Sequence, residues 1–153
     1  PIRRAVMRPS AIRERILEDH ATLRRIVARI DDLGEQVRVG REDLFRELCI
    51  AARDLHGALL RHLDREDRLL RPFLQTSDAF GPVRVDKLDE EHTAQRAELV
   101  ALVSRLGALS PEDLADYLIG FGRRLLEDMK HEEGTILHPR FLKDDLVHVD
   151  LGG

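Results

Sequence analysis

Apolar residues recur along the chain every three or four positions, the spacing of one face of an α-helix, and these stretches predict four helices. The first, about 11–33, places Ile12, Ile16, Leu23, Val27 and Ile30 on one stripe, with Ser10 as its candidate N-cap and Gly34 as its stop. The second, about 41–75, carries Leu44, Leu48, Ala51, Leu55, Leu59, Leu69 and Phe73 on its inner face. Pro72 marks its C-terminal end, where a helix break is expected. The third, about 83–107, follows a loop containing Gly81-Pro82 and aligns Leu88, Gln95, Leu99, Leu102 and Leu106. The fourth, about 111–138, opens on Ser110-Pro111-Glu112-Asp113, an N-cap followed by proline at the first helical position and acids in the first turn. Its stripe is Leu114, Leu118, Phe121, Leu125, Met129 and Ile136. Helices joined by short loops stack as antiparallel neighbours. The expected fold is therefore all-α, an antiparallel up-down-up-down four-helix bundle forming one domain over 1–153 with a short C-terminal tail.

The informative residues are the polar ones that fall where these stripes call for leucine. They are His20 on the first helix, His62 and Glu66 one turn apart on the second, His92 on the third, and Glu132 or Glu133 on the fourth. Their depths agree. With a rise of about 1.5 Å per residue, His20 lies roughly 15 Å from the start of its helix and His62 roughly 15–18 Å from the end of the next. His92 lies about 15 Å into the third helix, and residues 129–133 lie roughly 9–15 Å before the end of the fourth. In an antiparallel bundle all of them share one layer. A buried ionised carboxylate is costly unless it is paired or bound to a cation, so this set points to a metal site. Imidazole and carboxylate donors suit iron, manganese or zinc.

Composition narrows the setting. Aromatic residues are 4%, tryptophan is absent and charged residues are 35%, a helix-forming stock poor in the residue types strands prefer. The net charge of −4 is spread through interleaved acids and bases, so no basic stripe for nucleic acid is expected, and no apolar run reaches membrane-spanning length. The single cysteine, Cys49, excludes an internal disulfide and suits a reducing cytoplasm, with the thiol buried in the apolar run. The charged faces suggest a monomer. His56 points roughly 120° away from His62 on an ideal helix and reads as a surface residue. His138 and His148 read as solvated, and Tyr117 as packing.

Four segments resemble the hemerythrin-like, or HHE cation-binding, family: EDHATLR around His20, RHLDREDRLLRPFL around His62 and Glu66, LDEEHTAQR around His92, and HEEGTILHPRFL near the end of the fourth helix. The resemblance covers roughly 10–142. It implies a non-haem di-iron centre bridged by carboxylates, with open coordination for oxygen or nitric oxide. The fourth helix departs from the family's pattern. Counting back from Pro139 puts Glu133 at the glutamate position but Met129 where a histidine belongs. The nearby His131 points about 120° off the stripe unless a π-bulge turns it inward. Periodicity favours Glu132 and the family alignment favours Glu133, which is the preferred ligand, with Glu132 and His131 as alternates. With fewer neutral donors the centre could hold one metal or two.

Three functions are compatible with such a site. The first is binding or sensing of oxygen, nitric oxide or the iron state, with a partner protein for signal output. The second is a metal-dependent oxidoreductase handling peroxide or nitric oxide. The third is a helical interaction module that has lost its metal, for which Met129 is the main support.

Overall fold

In the computed structural model, residues 7–144 are described, and they form an all-α bundle. Helix α1 spans Pro9–Arg38. A short 3₁₀ turn, Glu42–Leu44, leads into α2, Phe45–Arg65, which runs through a π-helical turn, Glu66–Leu70, into α3, Arg71–Ser77. Helices α4, Gly81–Leu106, and α5, Pro111–Gly134, complete the bundle. Helix α1 packs along α2 and α5, while α4 lies against α2 and α3.

The helix ends differ from the sequence expectation where long-range packing intervenes. Ser10 does not cap α1, which begins at Pro9 with Arg8 in the N-cap position. Ser10 lies inside the first turn and donates its backbone N–H and its hydroxyl to Asp144, at 3.0 and 2.8 Å. An orphan donor of the helix start is thus satisfied by a carboxylate from the other end of the chain. Gly34 does not stop α1. A Cβ there would lie 3.1 Å from Ile119, so this glycine lets α1 and α5 approach closely, and the helix continues to Arg38. The chain turns instead at Gly40, whose φ of 105° lies in the left-handed region that glycine adopts freely.

Pro72 does not end the second helix either. Proline lacks an N–H, and in an α-helix its ring would press on the carbonyl four residues earlier. Here the turn ahead of it is widened, with the Arg71 N–H donating to the Glu66 carbonyl, five residues back. The extra residue in that turn displaces the stripe by one position. Leu70 and Leu74 are buried at 0% and 1% exposure, whereas Leu69 and Phe73, the residues expected there, only flank the core. Leu70→Ala is therefore expected to cost about 2–5 kcal/mol and Leu69→Ala much less, as measured by urea unfolding. Equal losses would refute the shifted register.

Buried apolar residues form two clusters rather than one. The larger includes Leu23, Val27, Leu59, Leu63, Leu99, Leu125 and Met129. The smaller is built from Ile12, Ile16, Leu70, Leu74, Val85, Leu88, Leu137 and Leu142. Along the chain the two sets are separated by polar residues: His20 on α1, His62 and Glu66 around the π turn, His92 on α4, and Glu132 near the end of α5, ahead of Leu137. No helix among the described residues is long and apolar enough to cross a membrane.

Candidate metal centre

The layer between the two clusters contains His20, His62, Glu66 and His92 at 0–4% exposure. Donor atoms of His20, His62, Glu66 and Glu132 all lie within 4.8 Å of one another. Metal–donor bonds of about 2.0–2.2 Å set donors up to roughly 4.4 Å apart across an ion, so a small inward shift would close this set around a cation. Glu66 lies between two histidines, with one carboxylate oxygen against His62 Nε2 and the other 3.6 Å from His92 Nε2. The His20 and His62 rings meet edge to face, 4.9 Å between centroids.

Four buried side-chain N and O atoms among the described residues lack a hydrogen-bond partner, and three of them point into this layer: His20 Nε2, Glu66 Oε2 and Glu132 Oε1. Buried polar atoms are almost always satisfied, so three orphans in one place require an explanation. The atoms concerned are two carboxylate oxygens and an imidazole nitrogen, all of which can ligate a metal.

The outer side of each histidine supports this reading. His20 Nδ1 lies 3.0 Å from Glu133, His62 Nδ1 lies 3.2 Å from Asp19, and His92 Nδ1 lies 2.7 Å from Asp67. Each of these carboxylates is held in turn by an arginine: Glu133 by Arg24 at 2.7 Å, Asp19 by Arg65, and Asp67 by Arg96 at 2.7 Å. A carboxylate on Nδ1 favours a proton there, so that Nε2 is the nitrogen available to a metal once any proton it carries is displaced. Replacing Asp67 with Ala is expected to weaken metal affinity about 10–100-fold with the fold retained, read by competition with a chelator. Unchanged affinity would show that Asp67 has no part in orienting His92.

The charged groups of the layer act on one another at short range. Burial alone would keep His62 neutral, but Asp19 and Glu66 outweigh it and raise its pKa to about 10. Burial also opposes charge on Glu66, yet His62 and His92 bring its pKa down to about 2. Glu132 behaves oppositely: burial and the Glu66 charge push it up to about 7. For His92, burial is outweighed by Glu66 and Asp67, and its pKa rises.

Of the three fourth-helix candidates, the structure brings Glu132 into the layer. Its Oε1 faces His20 Nε2 at 3.3 Å, an ionic approach without a hydrogen bond between them. Glu133 lies behind His20, between its Nδ1 and Arg24, and its pKa is lowered because Arg24 and His20 outweigh partial burial. His131 is exposed, as a regular helix dictates, since the π turn occurs at Glu66 and not in α5. Met129 packs in the larger apolar cluster. His56 is half-buried, and His138 accepts a hydrogen bond from the Arg140 N–H at 3.1 Å. His148 lies outside the described residues. Cys49 is half-buried against the core, and burial raises its thiol pKa. Tyr117 packs against the same cluster under Arg105.

Sequence reasoning did not single out Asp19, Asp67 or the three arginines. The signal was present, since Asp19 and Asp67 adjoin His20 and Glu66, and Arg24 and Arg96 follow His20 and His92 by four residues, one turn along the same face.

Helices that converge histidine and carboxylate donors on one buried layer define a metal-binding bundle. The family model described as the hemerythrin HHE cation binding domain matches residues 11–141, and the chain belongs to that family. Neither the curated proteins nor the solved structures give a match.

Proposed function

We propose that the chain binds iron in this layer, as a two-metal centre, and uses it to bind or sense oxygen, nitric oxide or the iron state. The reading rests above all on the three orphaned donor atoms that converge between carboxylate-braced histidines. His20, His62, Glu66 and Glu132 would hold one metal, with Glu132 as the α5 ligand in place of the Glu133 that counting from Pro139 favours. Glu66 turns its second oxygen toward His92, which supports a bridging role and a second metal on that side. Glu133 would orient His20. When bound, iron supplies redox capacity and Lewis acidity toward small oxygen- or nitrogen-containing ligands. The surrounding residues do the rest: the arginine-held carboxylates fix the imidazoles, and the two apolar clusters cover the layer above and below.

Metal content and protons test this together. Anaerobic addition of ferrous iron is expected to give about two irons per chain and a visible absorption change on exposure to oxygen. Binding must displace the proton that His62 retains to about pH 10. Affinity should therefore rise about tenfold per pH unit from neutrality, and more steeply below about pH 7, where Glu132 is also protonated. In the metal-free protein the same raised His62 pKa stabilises the fold below its unfolded value of about 6.5, a contribution lost as pH rises through 10. Calorimetry in buffers of different ionisation enthalpy reads the released protons. Metal uptake with no proton release, or no uptake at all, refutes the proposal.

A further inference from the structure

The helices do not close evenly around the layer. Between α4 and α5 lies a cavity of about 380 Å³, with His92 and Glu132 of the layer among the residues that line it. Its other lining residues include Leu88, Ile136 and Phe141, which make it apolar at one end. Arg84 also borders the cavity, but it is engaged: it lies 5.0 Å over the Phe141 ring and pairs with Asp78 at 2.6 Å. Elsewhere the lining carries Glu91, Glu98 and Asp128 facing fewer basic groups, Lys87 and the imidazole of His131, none of them ion-paired among the described residues.

Size and charge together constrain an occupant. A water molecule's share of liquid volume is about 30 Å³, so a diatomic gas would fill on the order of a tenth of this space. The volume falls instead within the roughly 300–1,000 Å³ occupied by small organic ligands. The excess of carboxylates disfavours an anion. Glu132 and His92 of the layer both line the cavity, so a molecule seated here lies directly against the layer.

We infer that the α4–α5 cavity is a binding site for an uncharged organic molecule whose apolar body lies against Leu88, Ile136 and Phe141 and whose oxygen-donor head reaches the metal layer beside His92 and Glu132. This rests on the metal reading above and extends it, because it makes the site accessible to ligands well beyond a diatomic. Gln95, half-buried on α4, lines the same cavity and is not placed as a ligand, so it controls the available volume without belonging to the layer.

Two hydroxamic acids with one head and different bodies, uncharged in solution near neutral pH and giving up one proton to solvent only on binding ferric iron, provide the test. The iron-loaded protein, its metal content measured, is titrated with acetohydroxamate and benzohydroxamate while the ligand-to-iron absorption band is followed and gel filtration confirms that iron stays bound. Benzohydroxamate is expected to bind at least about tenfold more tightly, the effect of burying a phenyl-sized body. Gln95→Trp should fill the cavity and remove that preference without loss of iron. Ile136→Ser, which changes only the apolar end, should reduce it. Equal affinities in the iron-loaded protein, or a preference unaffected by both variants, overturn the cavity assignment alone. Failure to take up iron overturns the metal reading and this inference with it.

Discussion

Glu66→Ala is expected to weaken metal binding by on the order of a hundredfold or more and to leave at most one weakly held metal per chain. The expectation follows from the position of this carboxylate. It is 1% exposed, one oxygen meets His62 and the other faces His92, so its loss removes a donor from both sides of the layer at once. The metal-free variant should also suffer. His62 would lose one of the three carboxylates that support its proton, and a buried imidazole with fewer such partners is held neutral more readily. Iron quantification after desalting, with thermal unfolding of metal-free and metal-loaded protein, checks both parts. Retention of two irons by Glu66→Ala would remove the bridging assignment.

Glu132 and Glu133 are neighbours in sequence, yet their substitution should give opposite results. Glu132→Gln is expected to abolish tight metal binding while making the metal-free protein more stable. The stabilisation comes from removing a buried carboxylate that its surroundings push toward the neutral form, and it should be roughly 1–3 kcal/mol at pH 8. The sign is fixed by the raised pKa: the ionised carboxylate disfavours the fold, fully so above about pH 7, and the advantage of glutamine should vanish below about 4.5. Glu133→Gln should instead weaken metal binding only about 10–100-fold, through His20. It should also destabilise the metal-free protein slightly, because it loosens the contact with Arg24. If Glu133→Gln loses all metal and Glu132→Gln does not, the assignments must be exchanged.

Most of this layer could be read from the chain itself. His20, His62, Glu66 and His92 interrupt apolar stripes, and such interruptions are visible wherever the helix is regular. The readings diverged where regularity fails or where long-range contact decides. Periodicity continued past Glu66 at 3.6 residues per turn predicts Leu69 and Phe73, whereas the widened turn ahead of Pro72 selects Leu70 and Leu74. On α5, periodicity points to Glu132 and a spacing counted from Pro139 points to Glu133. That count assumes a regular helix reaching Pro139, whereas α5 ends at Gly134. The Ser10–Asp144 clasp spans 134 positions, and no local pattern could announce it. The braces on the histidines are hidden in the sequence for a simpler reason. Asp19, Asp67 and Glu133 lie on the flanks of their stripes, where a charged residue is ordinarily read as solvated surface.

The polar layer also has a mechanical consequence. Two dry blocks of side chains, one containing Ile12, Ile16, Leu70 and Leu88 and the other Leu23, Leu59, Leu99 and Leu125, meet only across histidines and carboxylates. Oil does not adhere across such a seam. A cation seated in it would join side chains from every long helix at one depth and act as a weld between the blocks. Without that weld the blocks are joined only by the helices that run through the layer and by its ion pairs, so the bundle is expected to stiffen as one body when metal binds.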